Sequence, residues 1–143
     1  MGLKSTYYSQ IFLVVVISIF SFGIIYYYGN RGVFPQDSFL HFDSAFRILN
    51  GDDPFEDYWT VSAPFVDYLQ ALFFFIFGIN WYSYLFHASF LNCILAITTF
   101  YTLRILKLNY YYCFLYAMLF STLAYTSSGT PFVDHHAIFF SLL

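Results

Sequence analysis

Two groups of acidic and histidine residues have the types and the spacing to do chemistry. Asp37 and His41 lie four residues apart, which is one helical turn, and Asp134, His135 and His136 are consecutive. A carboxylate can serve as a general base or bind a metal ion, and a neighbouring imidazole can assist it or hold an anion. Each aspartate also fits the N-cap position of a helix. Both groups therefore keep a structural interpretation beside the chemical one.

The histidine pair in the second group has limited reach as a metal site. Adjacent side chains on a helix point about 100° apart, so His135 and His136 would not bind one ion through this dipeptide alone. Asp134 with one of the histidines is the better candidate for binding a divalent cation or a phosphate.

The remaining polar residues fit structural roles. The acidic stretch lacks the alternate spacing of a calcium loop and is expected to be a solvated loop; it comprises Asp52, Asp53, Glu56 and Asp57. His87 and Asn92 lie within an apolar run, which predicts hydrogen bonds between helices. Cys93 and Cys113 also lie in apolar runs, which favours buried free thiols over a disulfide or a metal site.

The composition requires an apolar environment. Of the 143 residues, 60% are hydrophobic, 27% are aromatic and 9% are charged, whereas a soluble domain carries about 25% charged residues. The chain is therefore expected to be an integral membrane protein in contact with the lipid bilayer. Its net charge of −3 excludes nucleic acid as a partner, because no basic stripe is present to neutralise phosphates.

Four apolar runs predict an all-α, polytopic transmembrane helix bundle. A spanning helix needs about 20 mainly apolar residues. The predicted spans are residues 9–28, 82–103, 110–126 and 132–143, and the last is still in progress at the end of the sequence. The first run is too long for the core of a signal peptide. Residues 1–143 are therefore expected to be the N-terminal part of a longer transmembrane domain.

The segment between the first two spans, residues 29–81, predicts two short helices. Residues 37–50 have helical apolar spacing, and Asn50-Gly51 is a typical helix stop. A second helix over residues 65–77 is too short to span and ends at Gly78. Helices of this type lie along the membrane interface, with aromatic residues in the lipid and charges in water. On the first helix, Asp43 and Arg47 have the i,i+4 spacing of an ion pair.

The basic residues predict the orientation. Lys4 precedes the first span, and Arg104 and Lys107 lie in the turn between the second and third. Under alternating topology these residues share one side, which the positive-inside rule places in the cytoplasm. The N-terminus is therefore expected to be cytoplasmic and the segment 29–81 to be outside.

The order of short motifs resembles a known family. After the first span and Asp37 come Ala45-Phe46-Arg47-Ile48-Leu49-Asn50-Gly51, then Pro54-Phe55-Glu56-Asp57-Tyr58-Trp59, then Pro64 and a helix that ends in Phe77-Gly78. This order resembles the first outer loop of the GT-C superfamily of membrane glycosyltransferases. It is most similar to the protein-mannosyltransferase-like group, family 39, and to the related aminoarabinose transferases. The resemblance covers roughly residues 11–143.

The resemblance implies a GT-C-like fold and an inverting glycosyltransferase. Such an enzyme moves a sugar from a polyprenyl-phosphate donor to a glycan, lipid or protein acceptor on the outer face of the bacterial inner membrane. It implies that Asp37 is the catalytic base, and that Asp37 and Asp134 are candidate ligands of a divalent cation, Mg or Mn. The residues expected around the substrate and its phosphate are His41, Arg47, Asp134, His135 and His136. Many members have Asp-Glu where this chain has Asp37-Ser38.

Two other classes of function remain open at this point. One is a membrane transporter or flippase, although the prolines lie in outer loops or at span ends rather than at the middle of spans. The other is a non-catalytic assembly subunit, in which Asp37 and Asp134 are helix caps. If the sequence is a fragment of an enzyme, we expect the fragment itself to be inactive because the rest of the bundle is missing.

Overall fold

The protein is all-helical in the part of the chain that the structure describes. This computed structural model describes residues 3–32, 38–60, 64–123 and 129–141, with side chains from Tyr8 onward except those of His135 and Phe139. The helices within these ranges are α1 (Leu3–Gly29), α2 (Leu40–Leu49), α3 (Phe65–Phe77), α4 (Trp81–Ile105), α5 (Tyr110–Leu123) and α6 (Val133–Ser141). The same ranges contain no strand, only an isolated bridge between Pro54 and Tyr58. The predicted all-α class is confirmed.

Two of these helices are long and apolar enough to cross a membrane. They are Tyr8–Gly29, with 22 residues, and Trp81–Ile105, with 25 residues, and they correspond to the first two predicted spans. At about 1.5 Å per residue both exceed the roughly 30 Å of a hydrocarbon core. The described part of α5 has 14 residues, and residues 124–126 of the predicted third span lie outside the described residues. So do the last two residues of the fourth run, of which α6 forms nine.

Helices α1, α4 and α5 pack around an apolar core. Its fully buried members are Ile17, Ala96, Phe100, Cys113 and Ala117. The small alanine side chains allow the helices to approach closely, as they do in membrane bundles. Both cysteines are free thiols; Cys113 is buried as predicted, whereas Cys93 is half-buried.

One amide joins the same three helices. The side chain of Asn92 on α4 donates to the carbonyl oxygen of Ser21 on α1 at 2.8 Å and to that of Ser121 on α5 at 3.2 Å. The prediction that Asn92 makes hydrogen bonds between helices is therefore confirmed.

Helices α3 and α4 form an antiparallel hairpin. Gly78 ends α3 with a positive φ of 86°, and Asn80 caps α4 by accepting a hydrogen bond from the backbone N–H of Ser83 at 2.9 Å. Further from the turn, the ring of Phe73 stacks on that of His87 with 4.5 Å between centroids. The predicted range of 65–77 for α3 is confirmed.

The expected placement of the charges on α3 is wrong. An interfacial helix would hold its polar groups in water, but Asp67 and Gln70 are both 0% exposed. The exposed side of α3 is apolar instead, and Phe75 is 79% exposed. The reason is that α3 packs its polar side against α2 and α4, where those side chains find partners.

Helix α2 is shorter than predicted and begins at Leu40 rather than at residue 37. Its N-cap is Phe39, which makes no side-chain capping bond. Asp37, the predicted cap, lies outside the described residues. The predicted stop is confirmed, because Asn50 is the C-cap and Gly51 has a φ of 96°.

Three chain segments meet at one end of the bundle, which we call the Gly29 end. The indole N–H of Trp81 donates to the carbonyl oxygen of Gly29 at 3.1 Å, and Gly129, with a φ of 65°, packs directly on Gly29. The last turn of α1 and the beginnings of α4 and α6 therefore lie together. The opposite end is the α4–α5 turn with Arg104 and Lys107, which we call the α4–α5 turn end.

Candidate functional site

A cluster of buried polar side chains lies between α2, α3, α4 and α6. We call it the polar cluster, and its members are His41, Thr60, Asp67, Gln70, His87 and His136. Polar side chains are rarely buried unless they are paired, so the contacts within the cluster indicate what it can do.

A carboxylate–imidazole pair forms the first half of the polar cluster. Nδ1 of His41 lies 2.6 Å from Oδ1 of Asp67, and the hydroxyl of Thr60 donates to Oδ2 of Asp67 at 3.2 Å. Both oxygens of the carboxylate are therefore engaged. A carboxylate bound to Nδ1 fixes the orientation of the ring and supports the charged imidazolium, an arrangement suited to accepting a proton or binding an anion.

A chain of one amide and two imidazoles forms the second half. Oε1 of Gln70 lies 2.7 Å from Nδ1 of His87, and the Nε2 atoms of His87 and His136 are 3.0 Å apart. Nδ1 of His136 lies 2.7 Å from the carbonyl oxygen of Phe132, and since a carbonyl only accepts, this nitrogen carries the proton. The chain links α3, α4 and α6 through side chains alone.

Helix α3 connects the two halves. Asp67 and Gln70 are three residues apart, so they lie on the same side of the helix, and that side faces the protein. One donor beside them, Nε2 of Gln70, is buried without a hydrogen-bond partner among the described residues. Such groups usually mark a position for a bound water or ligand atom.

The structure separates the predicted site residues into two sets. His41 and His136 belong to the polar cluster, where each is at most 1% exposed. Arg47 is at the surface, where its Nε donates to Oδ2 of Asp43 at 3.0 Å and its guanidinium lies 3.8 Å from Asp52. The predicted pairing of Asp43 with Arg47 is thus confirmed.

The other predicted site residues are less fully described. Asp134 is exposed and is the second residue of α6, one position beyond the helix start at Val133, so the interpretation of Asp134 as the N-cap is wrong. Asp37 and the side chain of His135 lie outside the described residues.

The described residues do not assemble a metal centre. No group of three or more His, Cys, Asp or Glu side chains in these ranges could hold an ion. The expected Mg or Mn site on Asp37 and Asp134 stays a prediction, because Asp37 is not among the residues described.

Sequence reasoning missed Asp67 and Gln70 as members of the site. Their signal was present: an acid and an amide, three residues apart, are the only strongly polar side chains in the otherwise apolar run from Phe65 to Phe77. Polar residues on one side of an apolar helix can face either water or a partner, and only the packing of α3 against α2 and α4 decides between these.

Comparisons with family models, with curated proteins and with solved structures give no match for this chain. The class of protein must therefore be argued from the order of its elements and from the chemistry of the polar cluster.

Proposed function

We propose that the chain is a multi-pass membrane glycosyltransferase of the GT-C type, which transfers a sugar from a polyprenyl-phosphate donor to an acceptor on the outer face of a bacterial inner membrane. One observation carries the proposal: the segment between the two long helices brings a carboxylate–imidazole pair, Asp67 with His41, into one buried cluster of polar side chains in an otherwise apolar bundle. The order of elements, one long helix, two short helices and then a second long helix, is the order expected for this superfamily.

The distribution of polar and apolar side chains supports membrane embedding. Large apolar residues cover the surface, with Ile19 71% exposed and Ile105 80% exposed, whereas His87 is fully buried. In water this arrangement would be unfavourable, because apolar surface would be hydrated while polar groups were desolvated. In a bilayer it is the expected one, since polar groups there face the bundle interior and are usually functional.

The charges support an orientation. All eight acidic residues lie in segment 37–67 or at Asp134. The α4–α5 turn end carries Arg104 and Lys107, and the sequence has no acid between Asp67 and Asp134. By the positive-inside rule the α4–α5 turn end is cytoplasmic and the Gly29 end is outside. In this proposal α5 and α6 belong to two further spans.

The proposed reaction uses Asp37 as the base. Its carboxylate takes the proton of the acceptor hydroxyl as that oxygen attacks the anomeric carbon, and the bond from this carbon to the phosphate oxygen breaks. The electron pair stays on the polyprenyl phosphate, whose negative charge needs a stabilising donor. We assign that role to His41, which lies four residues after Asp37 and is held by Asp67.

The contacts revise the rest of the expected phosphate-binding set. Both ring nitrogens of His136 are already in contact with protein groups, whereas only Nδ1 of His41 has a protein contact among the described residues. Arg47 pairs with Asp43 and Asp52 at the surface. The roles of His136 and Arg47 in the proposal are therefore structural. Asp134 is exposed and negative, so it would reach the phosphate only through a divalent cation.

The proposal is tested in the protein as cells produce it. Asp37→Asn should abolish sugar transfer, with accumulation of the polyprenyl-phosphate sugar in lipid extracts analysed by mass spectrometry. Asp43→Asn is the matched control, since Asp43 is an exposed acid of α2 that faces away from the polar cluster. Full transfer by the Asp37→Asn protein would refute the assignment.

A binding experiment separates the enzyme from its rivals. Undecaprenyl phosphate should bind the nanodisc-embedded protein, and undecaprenol, which lacks the phosphate, should bind at least tenfold more weakly. Equal binding of both would favour an assembly subunit, and uptake of undecaprenyl phosphate across vesicles without sugar transfer would favour a flippase.

A further inference from the structure

An apolar groove runs along the α4–α5 hairpin, outside the polar cluster. Its volume is about 500 Å³, and it is lined by Thr99, Leu103, Leu108, Tyr116, Leu119, Phe120 and Leu123. The one hydroxyl that α4 contributes, on Thr99, already donates to the carbonyl oxygen of Leu95 at 2.8 Å. The groove is therefore suited to a hydrocarbon chain and offers few hydrogen bonds to a polar ligand.

The groove is long enough to cross one leaflet of a bilayer. The lining residues run from Leu108 in the turn to Leu123 at the far end of α5, and the 14 residues of α5 measure about 21 Å at 1.5 Å per residue. One leaflet contributes about half of the roughly 30 Å hydrocarbon core. A single acyl chain can thus lie along the groove from the membrane surface inwards.

Two cations stand at the end of the groove that opens at the turn. The guanidinium of Arg104 donates to the carbonyl oxygen of Leu108, a lining residue, at 2.6 Å. Lys107 is exposed in the same turn, with a positive φ of 63°. With all acidic residues confined to segment 37–67 and to Asp134, neither α4, α5 nor their turn contains an acid that could neutralise these cations.

We infer that the α4–α5 groove is a binding site for an anionic phospholipid, with an acyl chain between the helices and the headgroup phosphate on Lys107 and Arg104. Basic residues at the end of an intramembrane groove are a recognised arrangement for such headgroups. The apolar lining alone would accept any lipid, so the two cations supply the selectivity. This inference rests on the membrane embedding in the proposed function, but not on sugar transfer.

The experiment measures which lipids remain bound. The full-length protein is placed in nanodiscs of equal parts phosphatidylglycerol and phosphatidylcholine, and the lipids retained after release are identified by native mass spectrometry. Phosphatidylglycerol should predominate several-fold. Lys107→Gln should reduce that preference about fivefold, the effect of one cation near a charged headgroup. Arg31→Gln is the matched control, because Arg31 is an exposed cation at the opposite end, and it should leave the preference unchanged.

A second variant tests the groove itself. Leu119→Trp fills the groove with a large apolar side chain that is compatible with a lipid environment, so this variant should retain neither phosphatidylglycerol nor phosphatidylcholine. Ile19→Trp, on the exposed side of α1, should retain both lipids. An unchanged preference in Lys107→Gln would overturn the inference, as would retention of lipid in Leu119→Trp. So would a cross-link from position 119 to another segment of the protein, which would show that a helix fills the groove.

Failures of the two proposals are distinguishable. If the protein does not enter nanodiscs, both fail. If it enters and transfers sugar but shows no preference for phosphatidylglycerol, only the lipid site fails.

Discussion

The two halves of the helix bundle bury different kinds of side chain. The half around Ile17, Phe100 and Cys113 is filled with apolar side chains. The half around Asp67 and His87 contains a carboxylate and imidazoles at 0–1% exposure. Apolar packing would have been sufficient for stability in both places, since buried ion pairs are often no more stabilising than apolar replacements. The difference predicts that the two halves respond differently to substitution, because a buried polar side chain that loses its partner costs more than an altered apolar contact.

The largest expected effect comes from removing the carboxylate of the polar cluster. Asp67→Ala leaves the buried imidazole of His41 without its carboxylate, which should lower the free energy of unfolding by about 3 kcal/mol. The measurement is denaturant titration of the helical circular dichroism signal in mixed micelles. Asp43→Ala, which breaks the exposed pair with Arg47, should cost less than about 1 kcal/mol. Equal losses in both variants would remove the distinction between a buried site and a surface ion pair.

A smaller loss is expected where the chain segments meet at the Gly29 end. A Cβ at Gly129 would overlap the backbone of Gly29, and the φ of 65° at this position also disfavours a side chain. Gly129→Ala should therefore lower the free energy of unfolding by about 2 kcal/mol. Gly23→Ala is the control, because a Cβ there would have no atom within 4 Å, and it should stabilise α1 by up to about 1 kcal/mol. A tolerated Gly129→Ala would mean that the two segments do not touch in the membrane.

The sequence predicted the parts of this arrangement that depend on local signals. Apolar periodicity and the glycines at positions 51 and 78 gave the ranges of α2 and α3 to within three residues, and the i,i+4 spacing gave the pair of Asp43 with Arg47. The contacts of the polar cluster join residues that are far apart in sequence: 26 positions separate His41 from Asp67, and 49 separate His87 from His136. No local period encodes such pairings, so the sequence yielded the residue types but not their partners.

In the apolar half, the hydrogen bonds that Asn92 makes between helices should contribute less to stability than the carboxylate of Asp67. Asn92→Leu removes the side-chain hydrogen bonds to the carbonyl oxygens of Ser21 and Ser121. It also removes a buried Oδ1 that has no partner among the described residues. These terms partly cancel, so the free energy of unfolding should fall by about 1 kcal/mol. Cys93→Ala, at the next position of α4, should change it by less than about 0.5 kcal/mol. A loss as large as that of Asp67→Ala would contradict the contrast between the halves.

The smallest effect is an electrostatic one, at the edge of the polar cluster. Burial raises the pKa of the Tyr58 phenol above 10.0, and the carboxylate of Asp67 raises it further. Asp67→Asn should therefore lower the pKa of Tyr58, measured as tyrosinate absorbance in difference titrations against the same protein carrying Tyr58→Phe.

The sign of the linked stability effect follows from the direction of this shift. A group whose pKa is higher in the folded state contributes stability that is fully present below its unfolded pKa, near 10, and is lost as the pH rises through the folded value. Above about pH 10 the wild-type protein should thus lose more stability than the Tyr58→Phe variant. An unaltered pKa of Tyr58 in Asp67→Asn would mean that the carboxylate of Asp67 does not act on the phenol, and would contradict the placement of Tyr58 at the edge of the polar cluster.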